Sequence, residues 1–237
     1  MNTKGIVPRT WRRLKKIALI LFIAQFVYII ILRWVNPPIT MTMVSKWFGL
    51  WGTDKQFHKT WVSYDEISQH AKLAVLASED QLFPDHNGFD FKSIEKAMKH
   101  NQKSKKIRGA STISQQVAKN VFLWQGRSWL RKGLEVYFTF MIEKIWGKQR
   151  ILEVYLNVAE MGDGIFGIEA ASQQYYHKSA ASLNREQAAM IAACLPNPVK
   201  YTVNPPARIT SYRQRKILTQ MRFIAPDPDI AELVTSK

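Results

Sequence analysis

Cysteine occurs once in 237 residues, as Cys194. No intramolecular disulfide can staple the chain, and a Cys-rich zinc site is excluded. The five histidines never fall in HExxH spacing, so a His-based metal site lacks its usual helical signature. Acidic residues are missing from the start of the chain until Asp54. Strict β alternation is scarce, and neither repeats nor low-complexity tracts occur. What is abundant is positive charge. Lys and Arg number 34 against 18 Asp and Glu, a net +16. That excess points to an anionic partner: nucleic acid, an anionic membrane surface or a phosphorylated substrate. The length suits one ordinary domain or two small ones. A hydrophobic content of 46% is enough for a packed core and argues against wholesale disorder.

The amino-terminal segment locates part of that charge. Residues 1–16 form a basic leader with Lys4, Arg9, Arg12, Arg13, Lys15 and Lys16. Ile17 to Leu32 is apolar apart from Gln25, and Trp34-Val35 extends the run beyond Arg33. A basic flank before an apolar run is a secretory signal or a signal anchor. The run exceeds a usual signal core and no A-x-A cleavage pattern follows, so residues 17–35 are expected to be a transmembrane signal anchor. About 20 residues cross a bilayer core, so this span is at the short end. Basic residues ahead of it place the N-terminus in the cytoplasm and the rest outside, in a single-pass arrangement. A buried core helix is the alternative, but such a helix does not normally follow an acid-free basic leader. Six of the 34 Lys and Arg lie in the leader, leaving 28 against 18 acids beyond it. The external part is therefore itself basic, and outside the cell lipid phosphates and phosphorylated substrates are the expected anions, not nucleic acid. Cys194 would be a free thiol there.

Asn36-Pro37-Pro38 ends the span. Residues 36–62, with Met41, Met43, Trp47, Trp51 and Trp61, read as a juxtamembrane segment whose Trp side chains suit the headgroup level. From residue 63 to 237 the pattern is one mainly α domain. A helix is expected from near Ser63, where Ser63 and Glu66 have capping-box spacing, to Glu79-Asp80. Further helices are expected at about 90–102, 112–123, 128–146, 148–160, 165–177, 184–194 and 208–222. Pro205-Pro206, Pro226 and Pro228 mark an otherwise irregular C-terminal region.

Four stretches carry chemistry, and each has an ordinary reading beside it. Glu79 and Asp80 sit at the C-terminal end of a helix, where the dipole disfavours negative charge. Such a carboxylate suits general acid or base work, or it is a solvated or ion-paired helix end; His86 and Asp90 nearby do not decide between these. Gly109, Ser111 and Thr112 open a helix whose N–H groups and hydroxyls suit an anion or sugar. Gln115 and Gln116 there suit carbohydrate hydroxyls and amides, although a plain capped helix fits equally. Lys119, Arg127, Arg131 and Lys132 could clamp a diphosphate, with Glu135 on the Arg131 face, or form a surface charge cluster. Val121 to Trp146 holds more apolar and aromatic groups than one buried face needs, which fits a membrane-dipping surface or a deeply buried helix.

Together these stretches resemble a known family. Glu79-Asp-Gln-Leu-Phe-Pro-Asp-His-Asn-Gly-Phe-Asp90 resembles the signature ED-x-x-F-x-x-H-x-G of the peptidoglycan glycosyltransferases (glycosyltransferase family 51). Gly109 to Asn120 resembles their G-x-S-T-I-x-Q-Q-x-x-K-N, and Arg131 to Glu135 their R-K-x-x-E. Lys148 to Asn157, with Gly162, Gly167-Ile168 and Ala170-Ala171, is similar to the fourth signature, and Glu186 to Pro198 to the fifth. All five stand in family order between residues 79 and 198. After residue 198 no S-x-x-K/K-T-G set follows, and the remaining chain is too short for a transpeptidase domain. The resemblance is therefore to the monofunctional, membrane-anchored branch. Gln81 stands where many bifunctional relatives have Arg, so a role of that Arg in phosphate or acceptor handling would have to be filled otherwise.

The resemblance implies a lysozyme-like α fold with a hydrophobic jaw against the bilayer, preceded by one transmembrane helix. It implies polymerisation of lipid II into β-1,4 glycan with release of undecaprenyl diphosphate. Glu79 matches the catalytic base and Glu135 the second essential carboxylate, ordering the cations or holding a metal. Asp80, Phe83, His86, Gly109, Ser111, Thr112, Gln115, Gln116, Lys119, Asn120, Arg127, Arg131 and Lys132 become candidate substrate-binding residues. A divalent cation, Mg or Mn, is the cofactor to consider; no organic cofactor is expected. Expected partners are lipid II, the growing glycan, membrane lipids and proteins of cell-wall synthesis or division. The expected location is the inner (plasma) membrane, with the catalytic domain periplasmic or otherwise extracytoplasmic. Two other functions compete: a lytic hydrolase of finished glycan, which would need neither anchor nor diphosphate clamp, and a non-catalytic membrane-tethered scaffold, which would tolerate loss of Glu79.

Overall fold

The structure is a computed structural model, and it describes residues 6–54, 56–104, 109–126 and 128–236. It falls into two units, Met1–Pro37 and Pro38–Lys237. The first is one helix, α1 (Ile6–Ile31). Its stretch Thr10–Ile31 has 22 residues with a mean hydropathy of 2.2, long and apolar enough to cross a membrane. Nearly every position in its apolar stretch can face outward because no polar side chain but Gln25 interrupts it.

The second unit is mainly helical. Its helices are α2 (Met41–Leu50), α3 (Gln69–Glu79), α4 (Phe91–Lys103), α5 (Ile113–Phe122), α6 (Trp129–Ile145), α7 (Lys148–Val158), α8 (Ile168–Tyr176), α9 (Arg185–Cys194), α10 (Arg208–Ile224) and α11 (Pro228–Thr235). A small sheet of β1 (His58–Lys59), β2 (Glu160–Gly162) and β3 (Ile165–Phe166) has the order β1-β3-β2, with β1 parallel and β2 antiparallel to β3.

Two alanine-rich helices make the centre. Helix α3 is buried continuously from Ala71 to Ala77, and α9 buries Ala188, Ala189, Ala192 and Ala193. Small side chains let the two backbones approach closely, and α3 packs on α9, which in turn packs on α10. The Ser78 hydroxyl reaches the Ala192 carbonyl across this contact at 3.3 Å. Helix α7 is apolar on most sides, with Ile151, Leu152, Val154, Tyr155, Leu156 and Val158 all buried, as expected of an enclosed helix. Helix α5 lies against both α6 and α7. Asn157, fully buried on α7, accepts from the Val62 N–H at 2.9 Å and donates to the Val62 carbonyl at 3.0 Å. That exchange satisfies a strand-like backbone segment without a strand.

Several boundaries differ from the sequence expectation for local reasons. The Ser63–Glu66 capping box closes a single 3-10 turn, Tyr64–Glu66, and not the helix itself. Ile67 is extended and buried, and Ser68 caps a new helix through the His70 N–H. The juxtamembrane segment contains a helix, α2, capped by the Thr40 hydroxyl on the Met43 N–H. The region after Pro226 is helical too: Asp227 caps α11 and Pro228 occupies its first turn, where a proline's missing N–H costs nothing. The helix expected from 165 begins only at Ile168, after β3 and Gly167. Gly167 has φ +86°, and a Cβ there would lie 2.8 Å from the Asn157 carbonyl oxygen.

The apolar stretch 121–146 divides between the two readings. Ile142 and Trp146 are buried and Phe122 stacks on Phe138 at 4.6 Å, whereas Trp129 is 93% exposed and Leu130 and Phe140 also face outward. Trp47, Phe48 and Trp51 of the α2 region are exposed as well.

Candidate active site

Glu79 ends α3 and Asp80 caps it. Their side chains take different environments. Glu79 is half-buried; its Oε1 accepts from the Ser78 hydroxyl at 3.1 Å and its Oε2 from the Gln116 amide at 2.9 Å. Asp80 is buried and fully engaged. Its Oδ2 accepts the Ile113 N–H at 2.9 Å, and its Oδ1 lies 3.0 Å from His86 Nε2. The N-terminus of α5 is thus tied to the last turn of α3 by a carboxylate on a helix N–H, a favourable placement for negative charge.

The loop after α3 is organised around that carboxylate. His86 Nδ1 accepts the Gly88 N–H at 3.1 Å, so the ring proton sits on Nε2 and is donated to Asp80. Phe83 is fully buried, edge-on to His86, with the Lys148 ammonium 4.5 Å from its ring centroid. Phe83 therefore packs beneath the loop. Lys148 also donates to the His86 carbonyl and, at 2.8 Å, to Glu143. Glu143 accepts the Ser114 hydroxyl as well, which joins α5, α6, α7 and the loop at one buried carboxylate. Gln81 donates to the Ala77 carbonyl at 3.1 Å, closing the end of α3.

Helix α5 carries the next set. Thr112 and Gln115 form its capping box, and the Thr112 hydroxyl donates to the Gly88 carbonyl at 2.7 Å. Both are buried, so their polar atoms hold the helix start in place. Gly109 and Ser111 are exposed at the same end. Gln116 and Lys119 follow at a three-residue step on the side of Glu79. Asn120 is buried and lies near Thr42 of α2, whose hydroxyl is 3.4 Å from its carbonyl and amide oxygens.

On α6, Arg131 binds Glu135 at 2.7 Å and Lys132 binds its other oxygen. Glu135 is buried. Arg131 Nε is buried and makes no hydrogen bond among the described residues. Lys119 is half-buried and feels the charges of both groups. Burial lowers its pKa below the usual lysine value, Arg131 and Lys132 act in the same direction, and Glu135 and Glu79 oppose them. A desolvated ammonium beside two other cations is poorly satisfied by the protein alone and is improved by an incoming anion. Arg127, expected to join this cluster, lies outside the described residues.

A resident metal does not fit Glu135. Both its oxygens hold cations, and among the described residues no group of three or more His, Cys, Asp or Glu could hold a metal ion. Two cavities, of about 300 and 430 Å³, lie away from Glu79, beside the small sheet and α2; Asp163 lines both.

Three contributors escaped the sequence reading. Ser78 and Tyr155 reach the Glu79–Gln116 pair, and Glu143 holds the loop. Ser78 had a visible signal, its place next to Glu79. Tyr155 lies within the stretch resembling the fourth signature but reads there as one more apolar helix position. Glu143 carries no local mark.

The site thus has one half-exposed carboxylate and a group of cations linked to it by Lys119, in a mainly α domain: the equipment of an enzyme handling an anionic, hydroxyl-bearing substrate. Comparison with known proteins agrees. The family model described as Transglycosylase matches residues 46–222. The chain is 48% identical over 235 residues to the biosynthetic peptidoglycan transglycosylase of Cronobacter sakazakii, covering 98% of each. It is 46% identical over 236 residues to that of Bdellovibrio bacteriovorus, covering 99% of this chain and 94% of the relative. It is 54% identical over 197 residues to that of Yersinia pseudotuberculosis, covering 81% and 82%. The chain belongs to the transglycosylase family and is a glycosyltransferase enzyme.

Proposed function

We propose that this enzyme polymerises lipid II into linear β-1,4 peptidoglycan strands and releases undecaprenyl diphosphate, with Glu79 as general base. The observation that carries the reading is Lys119, half-buried on α5 one turn from the Gln116 that binds Glu79 and within the electrostatic reach of both Glu79 and the Arg131–Lys132–Glu135 cluster. Base and anion site are then neighbours, as a displacement at an anomeric carbon bearing a diphosphate requires.

Glu79 takes the proton of the acceptor sugar's 4-hydroxyl while that oxygen attacks the anomeric carbon of the donor chain. The α-linked diphosphate leaves from the opposite face and a β bond forms in one inverting displacement. Diphosphate is a good leaving group that needs its charge neutralised more than it needs a proton. Lys119 and Arg131 supply that charge from this chain. Glu135 keeps the cations oriented.

The lytic alternative is less well supported, because a hydrolase commonly needs a second carboxyl to protonate its leaving group. Asp80 is bound by Ile113 and His86, and Glu135 by Arg131 and Lys132. Helix α1 serves as a single-pass anchor with its basic end in the cytoplasm, and the exposed Trp129, Leu130, Phe140, Trp47 and Trp51 face the lipid surface that holds the substrate. The test is incubation of the detergent-solubilised protein with labelled lipid II, with and without a divalent cation, followed by muramidase digestion of the product. Muramidase-sensitive polymer is expected. General-base help is worth about 10²–10⁴-fold, so Glu79→Gln should abolish measurable polymer while leaving lipid II binding largely intact. Full activity in that variant would remove the base assignment.

A further inference from the structure

We propose that Tyr155 is a positioning residue for the base: its phenol fixes the Gln116 amide so that the amide N–H, and not its oxygen, faces the Glu79 carboxylate. This rests on the reading of Glu79 as the base. The Tyr155 hydroxyl on α7 donates to Gln116 Oε1 at 3.3 Å, and Gln116 Nε2 donates to Glu79 Oε2 at 2.9 Å. The amide is a rigid plane, so fixing its oxygen fixes its nitrogen. Tyr155 is fully enclosed, and burial pushes its pKa well above the usual phenol value, so the hydroxyl keeps its proton to donate.

The alternative amide orientation would set Gln116 Oε1 against a carboxylate oxygen, two acceptors face to face. It becomes competitive only when Glu79 carries a proton, as it does immediately after it has acted. At that moment the phenol still prefers the amide oxygen, and the carboxyl returns to the same geometry for the next addition. The other groups facing Glu79 do not perform this task. Ser78 has one proton and two acceptors within reach, Glu79 Oε1 and the Ala192 carbonyl. Lys119 of α5 acts on Glu79 through charge. Cys194 of α9 is engaged with the Met161 carbonyl at 3.1 Å.

The experiment is a double-mutant cycle on the full-length chain in detergent, with lipid II as substrate and folding checked by circular dichroism. Tyr155→Phe removes one oxygen and leaves Gln116 in place. It should lower kcat about fivefold to tenfold, the loss of roughly one hydrogen bond in the transition state, with KM changed less than about twofold. Gln116→Met, which loses both contacts, should lower kcat by tenfold or more. In the Gln116→Met background, Tyr155→Phe should cost less than about twofold further. A purely structural tyrosine would cost the same factor in both backgrounds, and that additivity would overturn the proposal, as would wild-type kcat in Tyr155→Phe or a loss confined to KM. Should Tyr155→Phe fail to fold, Gln116→Asn, too short to span both contacts, must match Gln116→Met; full kcat in Gln116→Asn sinks the idea. The Glu79→Gln control separates the two readings. If that variant is inactive and the cycle is additive, only the role of Tyr155 falls.

Discussion

Replacing Asp80 by Asn tests how the site is held together. Both partners of the Asp80 carboxylate are donors, the Ile113 N–H at 2.9 Å and the His86 Nε2–H at 3.0 Å. An asparagine offers one oxygen and one NH2, so only one donor can be satisfied and the other meets a second donor. His86 cannot relieve the conflict by moving its proton, because Nδ1 is already accepting from Gly88. The loss is one buried hydrogen bond to a charged acceptor, about 1.5–3 kcal/mol, with a further penalty for the stranded N–H. A total near 3 kcal/mol lowers Tm by roughly 6–12 °C for a domain of this size. The assay is a thermal melt of purified protein in detergent at neutral pH, followed by circular dichroism, beside lipid II polymerisation below the transition. Because α5 carries Gln116 and Lys119, activity should fall by more than the folded fraction does. A Tm within about 1 °C of the parent protein, with normal activity, would refute the claim that Asp80 joins α3 to α5.

Two further outcomes follow from the same geometry. Gly88→Ala should destabilise by about 3 kcal/mol or more, since Gly88 has φ +86° and a Cβ would lie 2.7 Å from Thr139 Cγ2 and 2.9 Å from Glu143 Cγ; an unchanged melt would show that the loop can move away. Lys119→Met should raise Tm by roughly 2 °C at pH 7 while lowering polymerisation, because it removes a desolvated charge beside Arg131 and Lys132. With the folded pKa below the unfolded one, the unfolded chain binds more protons between the two values, so in the parent protein stability rises with pH through that alkaline window below 10.5. The Lys119→Met protein should lose this rise, which pH-dependent melts measure.

Local rules read much of the helical plan correctly. Helices α4, α5, α6, α9 and α10 start within a residue or so of their expected positions, because caps such as Asp90, Thr112, Ser128 and Asn184 stand immediately before apolar periodicity. The same rules missed α2 and α11. In α2 the aromatic residues read as a headgroup segment and obscure the Thr40 cap; in α11 Pro228 reads as a break but opens a helix. The short strands β1 and β3 have two residues each, too few to show alternation, and they exist because distant backbone segments meet.

The division at the site is sharper. Sequence by itself determined the apolar N-terminal helix, the mainly α character and the order of motif residues, since these depend on hydrophobicity, caps and near neighbours along one chain. Tertiary structure alone decided what each polar side chain does. It bound the Asp80 carboxylate to the Ile113 N–H of another helix, set the Gln116 amide on a half-exposed Glu79 and brought a phenol from α7 to that amide on α5. Those outcomes rest on contacts between residues some 30 to 40 positions apart, such as Ile113 to Asp80 and Tyr155 to Gln116. Such contacts exist only once the alanine faces of α3 and α9 and the apolar faces of α5, α6 and α7 have packed, and no local pattern encodes which oxygen will then find which donor.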